Sequence, residues 1–414
     1  MEKQIIEIDK HNKMNYMGIL IGLSILMISV FPILGSNGWK IQNIVIWTTI
    51  FVGIFYNAFK DGLVVNKFLF IYAFYIGFSI ISIIWVSNYG GAYIRIMDML
   101  KSFLFLLVLS SNCKEKKDIF KYLNIFTLGV VIISAYCIII DASNLRTWAR
   151  LGRESFEIAG QNQIYYSCIL IYSTMYSLFK VFYKKGNRII NIIVMLFLFL
   201  CGILTAIRKC LIIPLIFIMF YMAIKNKKNI IKLFVVGIVT FACISAVYIV
   251  TLKFFPSMSN RMISMIEDFS NNTEGNVNGN SFSSRKWLRE KAWKVFLQHP
   301  IKGVGIGQFR FYAAREGVDL YSHNNFLEIL ANTGIIGFVI YYWNYLILIC
   351  GLINLHKKNN ISNKEYVFMI SFMLASLIME YGQVEYYQLY FLFFLNLFSM
   401  YINHNKFLIY YNKR

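Results

Sequence analysis

His323 is the titratable side chain best placed for chemistry in this sequence. It stands in LYSHNNFLEIL, at the expected N-terminus of an amphipathic helix. The positive end of a helix dipole disfavours an imidazolium, which keeps a ring there neutral and able to accept a proton. Of the other four histidines, His11, His356 and His404 lie in polar segments and His299 directly precedes Pro300. A lone histidine is more often structural than catalytic, so from the residue alone both readings stand.

The second group of interest is cationic. Arg208, in LTAIRKCLIIPLIF, lies between two apolar runs. Arginine is costly at membrane depth, and a guanidinium binds phosphate oxygens bidentately; the alternative is a helix-end arginine snorkelling to the interface. Arg150, Arg153 and Arg261 fall in polar stretches and are candidates to join it, or are solvated loop charges. Ser284 is placed to cap a helix from Arg285 to about Gln298. In it Leu288, Ala292, Val295 and Phe296 form an apolar stripe flanked by Trp287 and Trp293. That pattern predicts an interfacial helix with its apolar side toward lipid headgroups and its basic side toward anions. Arg285, Lys286, Arg289, Lys291, Lys294, Lys302, Arg310 and Arg315 are opposed before Glu316 by Glu290 alone. Such a stretch is either a solvated helix held to anionic lipid or a diphosphate-binding surface. The following GVGIG run (Gly303 to Gly307) offers backbone amides to an anion, but it lacks the Walker lysine and the third dinucleotide-fold glycine, and a tight turn between helices is the better reading. Glu328 either orients His323 or is a polar helix residue. Asp98 and Lys101 are spaced for an ion pair within one helix.

These residues sit in an unusually apolar chain. Of 414 residues 58% are hydrophobic and 15% charged, against roughly a quarter charged in soluble domains. Apolar runs near 15–35, 42–59, 68–87, 95–111, 119–141, 164–183, 189–207, 209–224, 230–254, 325–354, 365–381 and 386–403 approach the roughly 20 residues a span requires. The expectation is an all-α polytopic membrane protein of about twelve spans with a large extracytoplasmic loop containing amphipathic helices. It divides into spans one to nine (1–254), that loop (255–324), and the last three spans with a tail (325–414). With both termini cytoplasmic, every short inside loop is basic, as in 114–117, 180–188, 225–232 and 357–364, which satisfies the positive-inside rule. Much of the +21 net charge is therefore topology, and nothing points to nucleic acid. The seven cysteines form no CxxC, six of them lie in apolar runs, and there is neither an HExxH nor a Cys/His cluster for zinc. No cofactor or metal is expected.

The ordered elements Ser284-Arg285, Trp293, Pro300, Gly303 to Gly307, Phe309, His323-Asn324, Leu327-Glu328 and Gly334 to Gly337 resemble the signature of the O-antigen ligase and polymerase superfamily. The resemblance covers about 55 residues, and the span layout agrees with it. It implies a GT-C-like membrane glycosyltransferase at the outer face of a bacterial plasma membrane. Such enzymes move a glycan from undecaprenyl diphosphate to a hydroxyl acceptor. By resemblance Arg208, Arg261 and Arg285 bind the diphosphate and His323 is the base. The expected partners are the undecaprenyl-diphosphate-linked oligosaccharide, a glycan acceptor and the bilayer, with a chain-length regulator and a flippase in the same system. Some ligases carry a second histidine at the positions of Ser322 or Tyr321. The leading expectation is a polymerase of O-antigen or capsule repeats; the alternative is a ligase delivering glycan to a lipid core, protein or wall. Outside the class, a polysaccharide flippase or transporter also has many spans, but would place its binding groups near the midplane.

Overall fold

The computed structural model describes residues 16–60, 62–140, 163–183, 186–205, 207–226, 229, 235, 238 and 282–411, with only the backbone of 282–283 and 406–411. Arg150, Arg153, Arg261 and nearly all of the run 230–254 lie outside these residues. Among the described residues there are helices and no strands.

In chain order the helices are α1 (Tyr16–Val30), α2 (Gly35–Phe59), α3 (Lys67–Ile81), α4 (Tyr89–Asn112), α5 (Lys116–Ile140), α6 (Gln163–Tyr183), α7 (Arg188–Leu204) and α8 (Lys209–Lys225). After the masked stretch come α9 (Phe282–Gln298), α10 (Phe309–Ala314), α11 (Asn325–Lys357), α12 (Asn363–Glu380) and α13 (Leu389–Tyr411). A described helix thus lies on every stretch read as a span other than 230–254, nearly all of which is outside the described residues. Tyr16–Phe59, Lys67–Trp85, Lys116–Ile140 and Asn325–Lys357 are long and apolar enough to cross a bilayer. Phe51, Phe55, Phe70, Phe74 and Ile84 are large apolar side chains left exposed by the protein itself. Exposed apolar surface on this scale needs lipid against it, and with the helices it defines an integral membrane protein.

Polar residues mark where helices begin. The side chains of Asn66, Asn88, Asn324 and Ser362 accept from the amides of Leu69, Gly91, Leu327 and Glu365, which occupies donors that a helix start leaves unpaired. At the centre stands α13, packed by α1, α3, α4, α5 and α11. From Leu389 to Ile402 it is buried on all sides, as expected of a helix apolar all round.

Two features of the 282–342 region differ from expectation. Helix α9 starts one turn before Arg285, and its stripe does not face lipid. Leu288, Ala292 and Val295 are buried against Val304, Phe309, Ala313, Val318 and Ala331. Three small or branched side chains fit the surface of α10 and α11 closely, and each buried valine or leucine is worth about 1.5–3 kcal/mol. Trp293 and Leu297 are the exposed apolar groups of this helix.

The GVGIG run forms a tight connection, and its amides are spent on protein. Val304 N and Gly305 N donate to Ala331 O (3.0 Å) and Asn332 O (2.8 Å), while Ile335 N and Ile336 N donate back to Pro300 O (2.9 Å) and Ile301 O (3.3 Å). Two backbones approach closely here because two glycines permit it. A Cβ on Gly303 would lie 2.4 Å from Asn332 O, and one on Gly334 would lie 2.3 Å from Ile301 O. Both have positive φ, and Gly334 kinks α11.

The charged loops separate to opposite ends of the bundle. Lys116 meets Glu365 at 2.9 Å, His404 Nε2 lies 3.0 Å from Cys113 O, and Lys364 stands over the Tyr183 ring. At the other end the turn before α4 docks on Gln308, whose Oε1 accepts from Asn88 N (2.8 Å) and Ser87 N (3.1 Å). Residues 318–324, the start of α8 and the segment 381–388 gather at this second end.

Candidate active site

His323 occupies a strained turn that its neighbours hold in place. Its φ is +54°, a left-handed conformation that costs a non-glycine residue about 1–2 kcal/mol. Glu328, one turn into α11, accepts from Ser322 N at 2.8 Å, and Ser322 Oγ donates to Asn324 O at 2.8 Å. Asn324 then caps the helix. Glu328 therefore fixes the turn through its backbone and through Asn332 Nδ2 (3.3 Å), rather than by a bond to the imidazole. The ring lies 4.2 Å from that of Tyr321.

The side chain of His323 is 9% exposed, and Nε2 is buried with no hydrogen-bond partner among the described residues. An unpaired buried nitrogen is costly unless something else is meant to bind it. Burial, and then the charges of Arg285, Lys209 and Arg289, push the His323 pKa down to about 3. The ring is neutral at any ordinary pH. The sequence argument from the helix dipole reached the same protonation state, but desolvation and three cations are what enforce it.

The predicted residues divide. Arg285 joins His323, exposed on the first turns of α9. Arg208 is half-buried at the N-cap of α8, in the break between the two apolar runs. From this segment it is the charge of Lys209, one residue on, that bears on His323. The positions of Arg150, Arg153 and Arg261 fall outside the described residues. Asp98 is in fact shared, with Lys101 at 3.6 Å and Arg95 at 3.5 Å.

Three contributors were not singled out from sequence. Lys209 follows Arg208 at a helix start and carries no motif of its own. Arg289 lies one turn after Arg285 and so shares its face; that spacing was legible. The segment 381–388 gave no signal. Yet Gly382 O accepts from Lys209 Nζ, the Tyr381 ring lies 5.5 Å from the Arg289 guanidinium, and Gln383 lies beside Tyr321.

Chemically, the arrangement is a neutral base with a free nitrogen beside fixed cations at one end of a membrane helix bundle. Clustered cations suit an anionic leaving group, and the base suits a hydroxyl nucleophile. Residues 169–342 match the protein family described as O-antigen ligase. That segment contains Arg208, Lys209, Arg285, Arg289, His323 and Glu328, and the match supports the resemblance to the O-antigen ligase and polymerase superfamily. A search of curated proteins finds no match. A family of that description implies a glycosyltransferase-like membrane enzyme with lipid-linked glycan substrates.

Proposed function

We propose that this protein polymerises undecaprenyl-diphosphate-linked oligosaccharide repeats, of the O-antigen or capsule type, at the outer face of a bacterial plasma membrane. The observation that carries the reading is the buried Nε2 of His323, without a partner among the described residues, beside the charges of Arg285, Lys209 and Arg289. The acceptor hydroxyl oxygen attacks the anomeric carbon, and its proton passes to His323 Nε2. The bond from that carbon to the diphosphate oxygen breaks in a single inverting displacement, and the lipid diphosphate leaves with the electron pair. Arg285, with Arg208 and Arg261 in the roles the resemblance assigns them, stabilises the charge that develops, assisted by Lys209 and Arg289. Arg150 and Arg153 lie in the other long outer loop and are candidate supporting cations. Glu328 holds the turn that aims the base.

The donor also completes the base. A neutral imidazole with a pKa near 3 is a feeble proton acceptor. A bound diphosphate offsets the part of that depression due to the cations and so raises the pKa, while the larger part, due to burial, remains. Chemistry therefore follows donor binding.

In this reading the bundle has about twelve spans of GT-C type, organised as 1–254, 255–324 and 325–414, with both termini cytoplasmic and the site extracytoplasmic. The gathering of Lys116, Lys364 and His404 at the end opposite His323 supports that orientation. The reaction is placed beside a flippase and a chain-length regulator. The family description itself favours one second reading, a ligase that moves finished glycan to a lipid, protein or wall acceptor.

The test is a polysaccharide gel from a deletion strain with and without the wild-type gene. A polymerase predicts acceptors bearing one repeat in the deletion and a restored ladder on complementation. Polymer accumulating on undecaprenyl diphosphate with bare final acceptor identifies a ligase. Repeats that never reach the outer face identify a transporter and overturn the site assignment.

A further inference from the structure

The segment between α12 and α13, residues 381–388, lies beyond the family match, which ends at Tyr342. It nevertheless touches each part of the site. Lys209 Nζ donates to Gly382 O, Arg289 stacks over Tyr381, and Gln383 lies beside Tyr321, the ring against His323. The buried Glu385 carboxylate accepts from the Tyr172 hydroxyl and attracts Lys209. Arg95 packs 3.9 Å from the centre of the Tyr387 ring.

One side chain joins this segment to the His323 turn. Asn325, two residues after His323 and fully buried, donates from Nδ2 to Glu380 Oε2 at 2.9 Å. Its Oδ1 accepts from the amides of Glu385 (2.9 Å) and Tyr386 (3.1 Å). Glu380 is held in turn by the hydroxyls of Tyr342 and Tyr345, each at 2.6 Å. Every polar atom of the Asn325 amide and of the Glu380 carboxylate thus meets a partner. Buried polar networks satisfied this fully fix geometry, because any displacement strands a desolvated group.

We propose that Asn325 and Glu380 are positioning residues, a clasp that registers the His323 turn against the 381–388 platform on which Lys209 and Arg289 are docked. The cations are held by the platform itself, so breaking the clasp moves the base and leaves the anion site in place. The proposal deepens the transferase reading and rests on it for its kinetic arm alone.

The clasp can be reversed chemically. Asn325→Asp faces Glu380 with a second carboxylate, and Glu380→Gln turns into a donor one of the two acceptor oxygens that the Asn325 amide shares with the Tyr342 and Tyr345 hydroxyls. Combined, the two changes exchange acid and amide and restore the bond, with the new carboxylate still able to accept from both backbone amides. The full-length protein in detergent is treated with diethyl pyrocarbonate, and modification of His323 is read by mass spectrometry against exposed His299. Each single variant is expected to label His323 several-fold faster than wild type, and the double variant to return to the wild-type rate. In turnover, each single variant loses roughly ten- to a hundredfold in kcat with the donor KM little changed, and the double recovers. Single variants that label and turn over like wild type overturn the proposal, as does a double variant no better than the worse single. If the single variants fail to fold, a folded double variant with wild-type labelling supports the clasp, and one that fails with them overturns it. Wild type that labels as expected but transfers no glycan from undecaprenyl-diphosphate-linked repeats removes the transferase reading and leaves the clasp standing.

Discussion

The two ends of the bundle both carry buried carboxylates and basic residues, yet they are finished differently. At one end Glu365, itself buried, takes Lys116 at 2.9 Å, the Ser362 hydroxyl at 2.6 Å and the Tyr401 hydroxyl at 2.9 Å. The buried carboxylate there has an opposite charge and two hydroxyl donors. At the other end three cations bear on a neutral imidazole whose Nε2 meets no partner among the described residues. A satisfied network holds helices together. An unsatisfied one keeps its electrostatic capacity for a ligand. The contrast assigns scaffold to the first end and chemistry to the second, and it can be broken at either.

The largest effect is expected at His323. His323→Ala removes the proton acceptor while the cations remain, so kcat should fall by about 10²–10⁴-fold with a far smaller change in donor KM. The variant also relieves a buried unpaired nitrogen, so its unfolding temperature in detergent should not fall in proportion. Near-wild-type transfer by a folded His323→Ala protein removes the base assignment.

Lys209→Met tests the cations next. It deletes one charge that bears on His323 together with the bond to Gly382 O. The donor KM should rise about tenfold, consistent with loss of a hydrogen bond to a charged group. An unchanged KM would make Lys209 a prop for the 381–388 segment and not a donor ligand.

The pH dependence follows with its sign. A base works when unprotonated, and in the free protein burial and the cations hold the His323 pKa near 3. The donor kcat/KM, which reports the free enzyme, should therefore show no acid limb from His323 above about pH 4. In the donor complex the diphosphate offsets the cations but not the burial, so the acid limb of kcat should lie at higher pH than that of kcat/KM. Two profiles that break at the same pH would show that the donor leaves the base unaffected.

The sequence made the helices legible because long apolar runs and polar caps such as Asn66, Asn324 and Ser362 are local signals. His323 and Arg285 were legible for a different reason, since they belong to an ordered motif. The destination of the α9 stripe was not legible. Leu288, Ala292 and Val295 have the same spacing whether they meet lipid or α10 and α11, and only the tertiary surface decides. The glycines at 303–307 were ambiguous in the same way, until Ala331 and Asn332 were seen to accept their amides. The segment 381–388 was silent because its contributions are a carbonyl, two aromatic faces and an amide, reached from helices distant in sequence.

The smallest expected effect is a control at the finished end. Lys116→Met removes the ammonium from Glu365 but leaves the Ser362 and Tyr401 hydroxyls in place. The Lys116 side chain is 40% exposed, so solvent screens the pair and the loss of stability should be about 1 kcal/mol. That should appear as a drop of a few degrees in unfolding temperature, while kcat and donor KM per folded molecule stay at wild-type values. Should Lys116→Met instead change the kcat pH profile, the two ends would be electrostatically coupled through the bundle, and the division into scaffold and site would be too sharp. Coupling over that span is not expected, because no chain of paired charges links Glu365 to His323 among the described residues, and α13 between them is apolar for most of its buried length.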